Sequence, residues 1–151
     1  GFPGETDDDF EHTLEVAAAA EFDFAYMFIF SPRPGTEAAE MSEHFVDPAV
    51  AGARFERLQV VIERSALRKH QAREGRVEEV LIEGPSKKRP DVTTGRTRQN
   101  KLVHFVAPQP LRVGSYADVE ITRGAPHFLE ARFVELLSEP THKLRIPVAA
   151  L

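Results

Sequence analysis

Between residues 73 and 136 the chain carries apolar residues in short alternating runs, punctuated by glycine and proline. The clearest run is Tyr116 to Thr122, where Ala117, Val119 and Ile121 alternate with Tyr116, Asp118, Glu120 and Thr122. A period of two places alternate side chains on opposite faces of a strand. Val77, Val80 and Ile82 mark a first strand, and Leu102, Val103, Phe105 and Val106 mark another. Phe128 to Leu136 gives a last one, with Leu129, Ala131, Phe133 and Leu136 inward, and Thr93 to Arg98 supplies a further strand. Gly84–Pro85, Gly95, Pro108–Pro110 and Gly124–Pro126 punctuate them. Several short strands separated by such turns predict a small antiparallel β-barrel.

The stretch Lys87 to Lys101 falls among these strands and reads KKRPDVTTGRTRQNK. Six of its fifteen residues are basic (Lys87, Lys88, Arg89, Arg96, Arg98 and Lys101), and only Asp91 opposes them. Lys and Arg neutralise phosphates while Thr and Asn add hydrogen bonds, so a loop of this kind suits a nucleic acid backbone. A solvated surface loop is the plainer alternative. The rest of the chain is acidic, which gives the local reversal of sign its weight. Phe105 and Phe128 serve either as core or as platforms for bases.

The net charge of −5 is unevenly spread. Residues 1 to 72 hold 6 basic and 14 acidic residues, residues 73 to 136 hold 11 and 9, and residues 137 to 151 hold 2 and 1. Opposite signs predict two domains, 1–72 and 73–136, with a tail at 137–151 in which Leu144, Ile146 and Val148 form a short strand or pack on a neighbour. No apolar run is long enough to span a bilayer. There are no cysteines, so no disulfide, thiolate metal site or cysteine nucleophile is built from these residues. His104 and His127 lack metal-ligand spacing with any acid, and no metal site is expected.

In the N-terminal part, Gly1, Pro3 and Gly4 form a tight turn, and Thr6 caps a helix with Asp9 three residues on, a variant of the capping box. Asp7, Asp8 and Asp9 sit where the helix dipole favours them. Phe22 to Phe30, FDFAYMFIF, reads as a buried parallel strand. Ser31 to Thr36, SPRPGT, then forms a fixed loop in which Arg33 is either a donor fork for a carboxylate or phosphate or the partner of a surface acid. Asp47 caps a long helix with Pro48 at its first position, running to about Ala72. Turn, helix and strand in that order belong to a βαβ repeat. The turn opens without the strand that should precede it, which predicts a piece of a longer protein.

GFPGET, FDFAYMFIFSPRPGTEAAEM and the RxxRL pattern of Arg54, Arg57 and Leu58 together resemble the last part of the radical-SAM domain of methylthiotransferases, in the tRNA-2-methylthio-adenosine synthase branch. REGRVEEVLIEGPSKK, TTGRTRQNKLVHF and VGSYADVEITRGAPHFLEARFV resemble a TRAM domain, an OB-like barrel that holds RNA. The fold class implied is part of a (βα)-type α/β barrel followed by an all-β OB-like antiparallel barrel. The likeness implies S-adenosylmethionine and two 4Fe–4S clusters in the parent enzyme, with cluster cysteines outside these residues and no catalytic residue within them. It implies cofactor contact by Gly1, Gly4 and Glu5 of the turn and by Ser31 and Arg33 of the next loop. It implies that Lys87, Lys88, Arg89, Arg96, Arg98, Asn100 and Lys101 grip the anticodon stem-loop of a tRNA in the cytoplasm. The reaction implied is radical transfer of a methylthio group to an N6-modified adenosine, the N6 group being dimethylallyl or threonylcarbamoyl. This chain alone is then inactive.

Two alternatives stay open. A sister family modifies an aspartate of a ribosomal protein and docks its TRAM barrel on protein, which would favour an acidic barrel face. A stand-alone RNA-binding module has no use for the GFPGET and SPRPGT loops. A partial α/β barrel also exposes strand edges and apolar faces, so self-association is expected of the chain alone.

Overall fold

A computed structural model describes residues 1–141; Leu144, Ile146 and Val148, expected to form a short strand or to pack on a neighbour, lie outside them. The chain divides into two compact units, Gly1–Ala66 and the residues from Leu67 on.

In the first unit the capping box forms as read. Thr6 N donates to Asp9 Oδ2 at 2.9 Å, and Asp9 N donates to Thr6 Oγ1 at 3.2 Å. Helix α1 (Asp7–Ala20) follows and buries Phe10 and Ala17. A short helix α2 (Glu37–Glu40) is capped by Thr36, and a single 3-10 turn spans Ser42–His44. Asp47 Oδ1 accepts from Ala49 N at 2.8 Å and starts α3 (Pro48–Gln71), whose last turn holds Arg68, Lys69 and His70.

The expected strand at Phe22–Phe30 does not form. The segment is extended but belongs to no ladder, and every strand among the described residues lies at Val77 or later. A strand is made by its neighbour's backbone groups as much as by its own side chains. Nor is the segment buried: Ala25 and Met27 are half-buried, but Phe24, Tyr26, Phe28 and Ile29 face solvent, Tyr26 and Phe28 at 81% and 85% exposure. The βα unit of a parallel barrel is therefore absent from the described residues.

The second unit begins in the last turn of α3. His70 Nδ1 is hydrogen-bonded to the Ala125 carbonyl, and Gly124 N donates to Glu74 Oε1 at 2.8 Å. Five strands follow: β1 (Val77–Pro85), β2 (Thr93–Thr97), β3 (Leu102–Val106), β4 (Tyr116–Gly124) and β5 (Leu129–Ser138). They close into a barrel in the order β1-β2-β3-β5-β4, with β4 returning to β1. The barrel is antiparallel except where β3 pairs with β5 in parallel, Val103 opposite Leu129 and Phe105 opposite Ala131. Residues 107–115, with Pro108, Pro110 and Gly114, carry the chain from β3 to β4. The β4–β5 hairpin then brings β5 alongside β3 in the same direction.

Val80, Ile82, Val103, Phe105, Ala117, Val119, Ile121 and Leu129 fill the interior, each no more than 3% exposed. The inward set read for Tyr116–Thr122 is the one found. Leu129 is fully buried, and Ala131 and Phe133 pack against the core.

Two glycines are fixed by close approach. A Cβ on Gly95 would lie 2.7 Å from Leu81 O, and one on Gly124 would lie 2.5 Å from the backbone of His70 and Gln71. Both neighbours are main chain, which cannot rotate away. Gly95→Ala is therefore expected to cost about 1–3 kcal/mol or more through overpacking. Urea unfolding followed by circular dichroism measures this, and an unchanged midpoint contradicts the close approach.

Candidate nucleic-acid interface

The basic stretch is not one surface. Strand β2 divides it into two groups with different electrostatics.

The first group stands on the β1–β2 connection. Ser86 N donates to Val92 O at 2.7 Å and Val92 N donates to Arg89 O at 2.9 Å, so the loop closes on itself with Val92 buried beneath it. Lys87, Lys88 and Arg89 are exposed at its tip. Arg89 pairs with Asp91 at 3.1 Å, both side chains more than half exposed. That guanidinium hydrogen-bonds the Asp91 carboxylate and holds its pKa below the ordinary value. Among the described residues Lys87 and Lys88 have no ion-pair partner. Surface pairs like Arg89–Asp91 contribute about 0–1 kcal/mol and leave the arginine free to re-pair.

The second group, Arg96 in β2 and Arg98 in the β2–β3 turn, is paired with acids of β1. Arg96 Nε meets Glu83 Oε1 at 3.1 Å, and Arg98 Nε meets Glu79 Oε1 at 3.0 Å. Arg96 Nη1 also donates to Asn100 O at 3.1 Å, and Asn100 occupies the left-handed region at φ 61° that the turn requires. Glu79, Leu81 and Glu83 alternate on the outer face of β1, opposite these arginines across the ladder. With Tyr116 they line an open groove of about 670 Å³ whose two arginines are matched by two glutamates. Lys101 does not belong to the surface at all: it is 5% exposed, and its amide donates to Thr97 Oγ1 at 3.2 Å. The sequence run shows none of this, because the neutralising acids come from β1, some twenty residues earlier for Arg98 (|i−j| = 19).

Phe105 is core, 3% exposed and stacked on Phe133 with ring centroids 6.2 Å apart. Phe128 is half-buried and meets the His104 ring edge to face at 5.2 Å.

In the first unit, Gly1 and Glu5 line a groove of about 280 Å³ with Phe10 and Arg54, whereas Ser31 and Arg33 do not line it. Gly4, at φ +81°, turns the chain, and its amide donates to His44 O at 2.8 Å. The feature missed in the sequence is the burial of Arg54 on α3. It is 7% exposed. Its Nη1 donates to Glu5 Oε2 at 2.7 Å and to Glu5 O at 3.1 Å, and its Nη2 donates to Asp7 Oδ1 at 2.6 Å. Arg54 and Arg57 both lie over the Phe10 ring, at 5.6 and 5.2 Å from its centroid. Burial disfavours the Glu5 carboxylate, the hydrogen bond and charge of Arg54 favour it, and its pKa lies below the ordinary carboxylate value of 4.5. The RxxRL spacing was the available signal, since residues three apart share a helix face.

The residues present do not fit an iron–sulfur cluster. There is no thiolate in the chain, and no group of three or more His, Asp or Glu among the described residues could hold a metal ion. Nor is any described helix long and apolar enough to cross a membrane.

A closed five-stranded barrel with a basic β1–β2 loop defines the class: residues 71–134 match the TRAM domain. The chain is 50% identical over 123 residues to the tRNA-2-methylthio-N(6)-dimethylallyladenosine synthase of Geobacillus thermodenitrificans, covering 82% of this chain and 23% of that protein. It is 44% identical over 149 residues to the synthase of the same name from Aeromonas hydrophila, covering 99% and 30%, and 48% identical over 139 residues to that of Kineococcus radiotolerans, covering 87% and 27%. The chain is similar to these synthases over most of its own length, carries a TRAM domain, and spans less than a third of the length of these relatives.

Arg54 yields a two-part prediction. Arg54→Met leaves Glu5 without its guanidinium and is expected to lower helix stability by about 1–3 kcal/mol, the scale of hydrogen bonds to charged groups. Because the folded pKa of Glu5 is depressed, its stabilisation is present above pH 4.5 and is lost as pH falls from there through the folded value. Urea unfolding followed at 222 nm should show the wild type losing more stability over that interval than Arg54→Met. Parallel pH profiles contradict the pairing.

Proposed function

We propose that this chain is the RNA-holding part of a tRNA methylthiotransferase, with its barrel gripping the anticodon stem-loop through Lys87, Lys88 and Arg89. The observation that carries this is the exposed cationic loop tip, two of whose three charges have no ion-pair partner among the described residues, on a chain of net charge −5. Arg96, Arg98 and Asn100 act as a second contact only when RNA phosphates compete with Glu79 and Glu83. Lys101, being buried, is left out of the grip.

The whole enzyme's reaction, on this proposal, is transfer of a methylthio group to an adenosine next to the anticodon, in the cytoplasm where tRNA is modified. The relatives, named as dimethylallyladenosine synthases, support the dimethylallyl form of that adenosine. S-adenosylmethionine chemistry and both 4Fe–4S clusters would be supplied by the remainder of the protein. The turn at Gly1, Gly4 and Glu5 and the loop of Ser31 and Arg33 would contribute at most one wall of the cofactor pocket. Glu5 is already engaged by Arg54, so its part there is to hold the turn's shape. Docking on a basic ribosomal protein is disfavoured because the acids of the β1 face are taken by Arg96 and Arg98.

Fluorescence anisotropy with a stem-loop RNA at 50 and 200 mM salt tests the grip. Replacing Lys87, Lys88 and Arg89 together by Gln should weaken binding and reduce the salt slope by about 2–3, since each phosphate contact contributes roughly 0.7–0.9 to it. An unchanged slope removes the loop from the interface.

A further inference from the structure

A second groove, of about 430 Å³, opens on the barrel wall beside the cationic loop, between β3 and the start of β5. Its size falls within the roughly 300–1,000 Å³ of ligand sites. Strand alternation explains its lining. Val103 and Phe105 point into the core, so His104 and Val106 point out, and His104 stands opposite Glu130 across the parallel ladder. Phe128 precedes β5 and is held by the β4–β5 turn, where Ala125 N donates to Phe128 O at 2.9 Å. Lys88 and Arg89 form the rim.

We propose that this groove is a subsite for one unpaired nucleobase of the bound RNA, its ring against Phe128 and His104 and its phosphate on Lys88 and Arg89. The proposal rests on the RNA-holding role above and deepens it. Charge and shape both select this occupant. A flat apolar ring joined to an anion matches an aromatic wall that ends in cations, whereas a paired base has no free face to offer. Phe128 differs from Phe105 in the way the role requires: it is half-buried at the surface, not sealed in the core. Glu130 also lines the groove but is paired with Arg123 at 3.2 Å, so Lys88 and Arg89 are the cations the groove offers to a phosphate. Thr94 Oγ1 lies 3.4 Å from His104 Nδ1, and among the described residues no hydrogen bond engages Nε2. Burial lowers the His104 pKa against a smaller opposing effect of Glu130, which favours the uncharged ring and leaves Nε2 as a donor or an acceptor according to the tautomer.

The test uses the full chain with two probes, a stem-loop RNA and a blunt duplex of the same stem without the loop, at one salt concentration. Phe128→Leu keeps apolar bulk and removes the stacking face. It should weaken stem-loop binding roughly tenfold, the scale of one lost base–aromatic stack, and leave duplex binding unchanged. Lys88→Gln should weaken both. As an independent readout, 2-aminopurine placed at each loop position in turn should show one position whose fluorescence changes on binding the wild-type chain. That scan decides the matter if Phe128→Leu fails to fold. Phe128→Leu affecting both probes equally or neither, or no responsive loop position, overturns the subsite. If salt-sensitive binding to both probes persists in that case, the RNA grip stands without the subsite. If the wild type binds neither, both fall.

Discussion

Parallel pairing of β3 with β5 closes the barrel, and the placement of the functional side chains depends on that closure. A sheet left open at β3 would present unpaired amides and carbonyls along that strand. Closed, it fixes the outward direction of every alternate residue around the wall. His104 and Arg96 point out because Val103, Phe105 and Thr97 point in. The eight-residue core holds that alternation in register, since a slip of one residue would turn the apolar set to solvent.

On this frame, charge is sorted by position along the strands. The cations at a turn with no acid on the neighbouring strand stay available, and those facing β1 are met by Glu79 and Glu83. Pairing of this kind holds the arginine forks ready while lowering their attraction for an anion that does not compete geometrically. The result is a graded surface, strongest at Lys87 and Lys88 and adjoining an aromatic groove on one side.

Much of the barrel was legible in the sequence because period two is a local property. Ala117, Val119 and Ile121 declare their face within seven residues, and the turns declare themselves by glycine and proline. The β3–β5 pairing was not legible, because it joins residues about 26 apart (Val103 with Leu129) whose pattern suits parallel or antiparallel partners equally. Phe22–Phe30 misled for a related reason: a nearly continuous apolar run has strand character but forms a strand only beside another. At the candidate site, the basic residues were visible and their division was not. Lys101 looks like its neighbours in the run, and only the turn at Asn100 sends it inward. Arg54 was hidden by its charge, which made burial improbable until Glu5 and Asp7 supplied partners.

On the proposed reading, RNA meets this barrel at the β1–β2 loop, where Lys87 and Lys88 stand without ion-pair partners among the described residues, and not at the Arg96–Arg98 end paired with β1. Backbone amide chemical shifts of the isotope-labelled chain, followed during titration with a stem-loop RNA, test it most directly. The largest changes are expected at Lys87–Arg89, Thr94, His104 and Phe128, with smaller ones at Glu79, Glu83, Arg96 and Arg98. Changes confined to the β1 groove, with the β1–β2 loop unmoved, would contradict it.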